Sequence, residues 1–308
     1  MNILITDKVD PLFMKLLKEN KINYEYNISE NRLNILSKIE NFDGLVVRNR
    51  IKIDETFLNT AKHLKFIARY GSGMESIDIK KAQELNIICF NSAEGNANSV
   101  AEHTMGMLLS LLHNIKSSMD ELNKLVWNRE ENRALELEGK TIGVIGYGHT
   151  GSAFSQKLKH FNCSVIAYDK YRTKYSNEFA IESTMEKIYS DADIISLHVP
   201  LTQETYNLVN KDFISNMKKP FYLLNTSRGS IVSTQDLISG LKEKKILGAG
   251  LDVIENEDCT FNDITIDTNF KYLLNCKNVI LTPHIAGLSK ESNTKLSKIL
   301  INKILALS

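Results

Sequence analysis

Short apolar runs alternate with amphipathic segments along almost the whole chain, and this alternation restricts the fold more than any single motif. Strand-length runs separated by helix-patterned stretches are the pattern of parallel α/β architecture, in which crossover helices cover the sheet faces. In the first hundred residues the runs are NILIT (2–6), GLVVR (44–48), KFIAR (65–69) and IICFN (87–91), with segments such as NRLNILSKIE between them. From Ala97 to about Leu122 comes one long helical stretch, ANSVAEHTMGMLLSLLHNIKSSMDEL, too apolar on too many sides for an ordinary surface helix. A second series follows: TIGVIG, SVIAYD, DIISLHV, FYLLNTS, GAGLDV and NVILTP. These runs are β-branched and lack alternation, which suits strands covered on both faces. A last helical segment occupies 289–306. The pattern predicts two parallel-sheet α/β domains, with residues 98–287 inserted into a domain made of 1–97 plus 288–308.

A chain of 308 residues can give each domain a sizeable core. The formal net charge of +1 provides no overall field for nucleic acid or a membrane surface, so neither is expected as a partner and functional positive charge must be local. Cys89, Cys163, Cys259 and Cys276 form no C-x-x-C pair and have no histidine at metal-ligand spacing. Free thiols in a reducing compartment are expected, and no metal site. The apolar run before Asp7 is too short for a signal peptide, and no apolar run approaches about 18 residues. A cytoplasmic location follows as the expectation.

TIGVIGYGHTGSAF (141–154) carries glycines at 146, 148 and 151 between a buried-strand pattern and a helix pattern. That context is what the dinucleotide fingerprint requires. Gly146 permits the tight turn, Gly148 lets the backbone approach a pyrophosphate, and Gly151 allows close helix–strand packing. The amides at the new helix terminus face the phosphates. The next strand ends in Asp169, 18 residues after Gly151, where a carboxylate accepts ribose hydroxyls and repels a 2′-phosphate. NAD is the cofactor so implied, although Lys170, Arg172 and Lys174 follow closely. The domain is therefore expected to be Rossmann-like.

Three further strand ends carry one ionisable group each: Arg228 in NTSRGS, Glu257 in GLDVIENE and His284 in TPHIAG. Open α/β sheets place their ligands at the carboxyl ends of strands. Hydride transfer to a 2-oxo acid needs a fixed cation for the carboxylate, a proton donor for the carbonyl oxygen and an acid that stabilises the protonated donor. The other six histidines lack an equivalent setting; His103 and His113 fit a helix interior.

These residues resemble the D-isomer-specific 2-hydroxyacid dehydrogenases over essentially the whole chain. RYGSGMESID (69–78), GNANSVAEHTMGMLL (95–109), the glycine fingerprint, NTSRG, GAGLDV…E and TPHIAG occur in that family's order. The stretch VWNREENRALELEGKTIGVIGYGHTGSAF looks most like the short D-3-phosphoglycerate dehydrogenases, which oxidise 3-phosphoglycerate in serine biosynthesis. The resemblance implies Arg228 as the carboxylate anchor, His284 as acid/base and Glu257 as its partner. It implies that Asp252 contacts the nicotinamide amide and that Ser72–Gly73 lie in a loop whose amides hold the substrate carboxylate. It places His149, Thr150, Asp169, Thr226 and Gly287 along the cofactor, with the substrate in a cleft between the domains. Glu75 departs from a common aspartate, AEGN (93–96) from a Pro-Gly pair, and Asp258 from a proline. The regulatory domain of longer phosphoglycerate dehydrogenases is not expected here.

Arg48 and Arg69 end parallel strands, and Arg129 and Arg133 lie on the polar arm WNREENRALELEG. Since Arg228 answers the carboxylate, these further cations point to a second anionic group, and clustered guanidinium groups suit a phosphate. The alternatives are ordinary surface pairs with Asp43, Glu130 and Glu131, a glyoxylate or hydroxypyruvate reductase, and a non-catalytic NAD-sensing protein. The intact Arg–Glu–His set argues against the last. Met105, Met107, Leu108, Leu109, Leu111 and Leu112 form a stripe too large to leave wet, which predicts a homodimer joined through 97–122.

Overall fold

The computed structural model describes residues 1–255, 257 and 264–307. They divide into two compact units, one taking Met1–Ala97 and the chain from Leu288 onward, the other the described residues between Asn98 and Gly287. Asp258 and Cys259 lie outside the described residues.

The first unit carries strands β1 (Asn2–Ile5), β2 (Asn23–Tyr26), β3 (Gly44–Val47), β4 (Phe66–Arg69) and β5 (Ile88–Asn91) in the order β2-β1-β3-β4-β5. All of these pairings are parallel. Every residue of β3 and β4 is buried, and all of them but Arg69 are apolar. Crossover helices start at side-chain caps: Asp10, Asn31, Asp54 and Asp78 each accept a backbone amide of the first turn. The helix Lys290–Leu305 returns to this unit. Its Leu296, Leu300, Ile301 and Ile304 share a core with Ile3, Ile5, Phe13, Val46 and Phe66. The Tyr70 hydroxyl fastens it by bonding Ser297 Oγ at 2.8 Å.

The second unit carries β6 (Thr141–Ile145), β7 (Ser164–Tyr168), β8 (Ile181–Glu182), β9 (Ile194–Leu197), β10 (Phe221–Asn225), β11 (Ile246–Leu251) and β12 (Val279–Leu281). Their order is β12-β11-β10-β9-β6-β7-β8, again with parallel pairings. Chain order reverses between β6 and β9, which opens a crevice at the carboxyl ends of those two strands. Both units are thus Rossmann-like α/β folds.

The stretch 97–122 is two helices rather than one. Ala97–Leu112 ends, Asn114 takes a left-handed φ of 52°, and Ile115–Leu122 starts anew. Asparagine tolerates that region better than most residues, so it makes the corner. The expected wet stripe is also resolved otherwise. Met105, Met107, Leu108, Leu111 and Leu112 are buried with Leu137, Ile142, Val144, Phe154 and Leu224, and Leu109 packs on the same cluster. That stripe is the unit's own core and not a subunit face. Among the described residues no helix is long and apolar enough to cross a membrane.

Candidate active site

At the carboxyl end of β6 the chain must turn sharply, and Gly146 does so at φ +92°, a region side chains avoid. A Cβ there would press on the His198 carbonyl at the end of β9, and one on Gly151 would collide with the Gly146 carbonyl. Gly148, by contrast, faces open space within 4 Å. The helix His149–Leu158 starts at Gly148 with no side-chain cap, unlike the capped helices of the first unit. Its leading amides therefore suit an anion, and the glycines leave the room that a pyrophosphate needs. These observations fit a dinucleotide. His149 is exposed, and Thr150 is half-buried in the same first turn.

Asp169 closes this loop from β7. Its Oδ2 accepts the Tyr147 amide at 2.8 Å, and its Oδ1 accepts the amides of Tyr171 and Arg172 at 3.0 and 3.1 Å. A carboxylate has about four acceptor sites, so three are committed to shaping the turn. Arg172 donates from Nη1 to the Tyr147 carbonyl. Lys170 is paired with Glu204 at 2.8 Å.

The turn after β10 is locked by its own residues. Asn225 is fully buried; its Oδ1 accepts the Ser227 amide at 3.1 Å and its Nδ2 donates to the Arg228 carbonyl at 2.9 Å. Ser227 Oγ donates to the Leu197 carbonyl at 2.6 Å, and Arg228 Nη1 to the Ser227 carbonyl at 2.7 Å. Thr226 Oγ bonds Thr104 Oγ at 3.0 Å. Arg228 is thereby presented on a rigid turn at the carboxyl end of the sheet.

After β11, Glu257 accepts the Ile254 amide on Oε1 at 2.6 Å and meets His284 Nδ1 with Oε2 at 2.6 Å. His284 follows β12 at φ +53°. The bond to Glu257 engages one ring nitrogen and sets Nε2 as the nitrogen for external chemistry. Asp252, 1% exposed, accepts Thr282 Oγ at 2.6 Å, the Ile285 amide at 2.8 Å and the Ala286 amide at 2.8 Å. Its carboxylate shapes the loop Thr282–Gly287 that carries His284. Sequence reasoning missed that work. A buried aspartate two residues before a chain reversal is its only signal.

In the first unit, Ser72 Oγ donates to Asn96 Oδ1 at 2.7 Å, and the Ser72 carbonyl accepts Asn91 Nδ2 at 2.7 Å, so the loop bearing Ser72 and Gly73 is tied at two points. Glu94 of AEGN pairs with Lys303 at 2.7 Å. Arg48 lies over the Tyr70 ring at 5.7 Å. Arg69 is buried, donating to Asn49 Oδ1 at 2.7 Å and to the Tyr70 carbonyl, so its guanidinium supports the turn that follows Arg48. Asp43 pairs with Lys65 rather than with an arginine, whereas Arg133 does pair with Glu130.

Residues 105–286 match the family described as D-isomer specific 2-hydroxyacid dehydrogenase, NAD binding domain. The D-3-phosphoglycerate dehydrogenase of Methanocaldococcus jannaschii is 34% identical over 99% of the chain. The hydroxypyruvate reductase of Thermotoga maritima is 32% identical over 97% of the chain and 96% of its own length. A D-lactate dehydrogenase of Aquifex aeolicus, solved with NAD and lactic acid, superposes with a TM-score of 0.85 at 28% identity, covering 100% of this chain and 95% of that one. The chain spans 57% of the Methanocaldococcus protein, and 64% and 54% of D-3-phosphoglycerate dehydrogenases from Saccharomyces cerevisiae and Bacillus subtilis. With its two parallel sheets and its glycine cradle, the chain belongs to the D-isomer specific 2-hydroxyacid dehydrogenase family, and residues 105–286 are its NAD-binding domain.

Proposed function

We propose that this chain is an NAD-dependent D-2-hydroxyacid dehydrogenase that interconverts 3-phosphoglycerate and 3-phosphohydroxypyruvate. The observation that carries the reading is the 2.6 Å pair of His284 and Glu257, with Arg228 on a neighbouring strand end. The loop Gly146–Gly151 and Asp169 would hold NAD, which would supply the hydride acceptor or donor. His284 Nε2 takes the substrate hydroxyl proton in oxidation and gives it back in reduction, while Nδ1–H stays on Glu257. Glu257 stabilises the imidazolium that forms and fixes the ring. Arg228 binds the substrate carboxylate with paired N–H donors, which sets the face of the reacting carbon. Ser72 and Gly73 assist the carboxylate through backbone amides.

Arg48 is the cation assigned to the phosphate, and Arg69 its support through Asn49. A charged hydrogen bond contributes about 1.5–3 kcal/mol, so Arg48→Ala should lower kcat/KM with 3-phosphohydroxypyruvate by roughly ten- to hundredfold. The same change should matter much less with hydroxypyruvate. Arg69→Ala should lose on both. NADH oxidation with the two acids, in wild type and both variants, tests this. Equal use of both acids by the wild type, or equal loss on both in Arg48→Ala, would reject the phosphate assignment. A hydroxypyruvate reductase is the second reading, favoured by the Thermotoga relative that matches this chain end to end.

The working form is proposed to be a homodimer. Helix Ile115–Leu122 buries none of its residues, and Ile115, Met119 and Leu122 stand exposed at i, i+4 and i+7. The following arm adds Leu125, Val126 and Trp127. Asn132 ties arm to helix by donating to Glu121 Oε2 at 2.7 Å.

A further inference from the structure

Two polar side chains on the helix Ala97–Leu112 reach the loop that carries His284. His103 Nε2 lies 2.9 Å from Thr282 Oγ, and Ser99 Oγ donates to the Ala286 carbonyl at 2.7 Å. Ser99 and His103 are four residues apart and so share one helix face. That face grips the loop near both of its ends, with Asp252 in the middle.

The direction of the hydrogen bonds follows from counting protons. Asp252 Oδ1 accepts the Ile285 amide and Oδ2 the Ala286 amide, so both oxygens act as acceptors. Thr282 must then spend its one hydroxyl proton on Asp252 Oδ1, at 2.6 Å. The contact between Thr282 Oγ and His103 is left to be donated by His103, so Nε2 carries a hydrogen. The chain runs His103 Nε2–H to Thr282 Oγ–H to Asp252, and Nε2 itself lies 3.5 Å from Asp252 Oδ1.

This chain ends on a strained turn. His284 is held at φ +53°, and its amide donates to the Asp252 carbonyl at 2.8 Å. A left-handed non-glycine residue persists only where its surroundings over-determine it. We propose that His103 is a positioning residue for proton transfer at His284: by donating to Thr282 it aligns the Asp252 carboxylate that holds the left-handed turn. The inference rests on the reading of His284 as the acid/base.

The test uses the full chain with NADH and hydroxypyruvate, and amide hydrogen exchange at Ile285 and Ala286 as a readout independent of turnover. His103→Leu removes the donor, Thr282→Val breaks the chain at its middle link, and His103→Gln keeps an N–H near the position of Nε2. Misplaced reacting groups lose up to about a hundredfold, so His103→Leu and Thr282→Val should each lower kcat roughly ten- to hundredfold with KM nearly unchanged. Exchange at the two amides should quicken in both, and His103→Gln should restore most of each loss. The double variant should be no worse than Thr282→Val alone, because both changes cut one chain. Wild-type kcat and exchange in His103→Leu overturn the proposal, as does an equal loss in His103→Leu and His103→Gln. If His103→Leu does not fold, Thr282→Val decides alone, and wild-type behaviour there also overturns it. His284→Ala measured alongside separates the two ideas: retained turnover in that variant rejects the acid/base reading, while the exchange rates still report on His103.

Discussion

His284 shows how much chemistry a single backbone angle can depend on. The left-handed region costs roughly 1–2 kcal/mol for a residue with a Cβ, and His284 occupies it beside Glu257 and above the buried Asp252. Arg228, Glu257 and His284 can be proposed from the sequence because each follows a strand-like run, where open sheets present ligands. The strain at His284, the three loop bonds of Asp252 and the burial of Arg69 were not legible, since each depends on partners far along the chain. Removing the imidazole tests the central assignment: His284→Ala should lower turnover by roughly a hundredfold or more, with NADH binding retained in a fluorescence titration. Near-wild-type turnover would remove His284 from the chemistry. Asp169 carries a second prediction at this scale. With three acceptor sites given to backbone amides, it still presents negative charge where a 2′-phosphate would sit, so NADH should exceed NADPH in kcat/KM. The guanidinium of Arg172, fixed on the Tyr147 carbonyl, works in the opposite direction. A preference for NADPH would show that the arginine wins.

Among the elements, the central strands and the edges β5 and β12 were easy to read, whereas the edges β2 and β8 were not. β3, β6 and β9 are runs rich in branched apolar residues and almost wholly buried. β2 is NYEY, half exposed, and becomes a strand because β1 offers it an unpaired edge. β8 is two residues long, with Ile181 exposed. Neither sequence carries the signal, because the pairing energy lies in the neighbour. The corner at Asn114 was hidden for a similar reason: the apolar pattern continues through it, and only the backbone turns. β9 delivers a histidine whose setting has a measurable consequence. His198 is buried against Phe154 with Ser196 Oγ 2.8 Å from Nε2, and burial pushes its pKa down to about 3 from the ordinary 6.5. The unfolded chain binds a proton near pH 6.5, whereas the folded chain does not until about pH 3. The stability due to neutral His198 is therefore complete above pH 6.5 and is lost as pH falls from there towards 3. The slope is about 1.4 kcal/mol per pH unit for one such group. Urea unfolding at pH 7.5, 6.5 and 5.5 should show this acid-side loss in the wild type and a shallower one in His198→Gln. Parallel slopes would mean that the folded protein protonates His198 freely.

For the whole molecule, alternating strand and helix patterns were enough to expect two parallel sheets, because few other architectures bury so many continuous apolar runs. They were not enough to say which apolar surface stays outside. The stripe around Leu108 looks like a subunit face in sequence, yet Ile142, Val144 and Leu224 of the same unit cover it. Among the exposed apolar residues are Ile115, Met119, Leu122, Leu125, Val126 and Trp127, close in sequence on a stretch that reads as more polar. Trp127 is 81% exposed and Leu125 95%. So large an aromatic and aliphatic patch on one helix and its arm is the surface that soluble chains cover with a partner. A second copy is the partner proposed, because a two-fold axis lets the same patch cover itself. Light scattering at micromolar concentration should therefore give twice the chain mass of 34.9 kDa. Anchors of this kind are worth about 2 kcal/mol or more each, and a two-fold dimer carries two copies, so Trp127→Ala should weaken the dimer roughly a thousandfold. Met119→Glu places two like charges near the axis and should leave monomers at the same concentration. A monomeric wild type, or a Met119→Glu variant that stays dimeric, would mean that this patch is not where two copies meet.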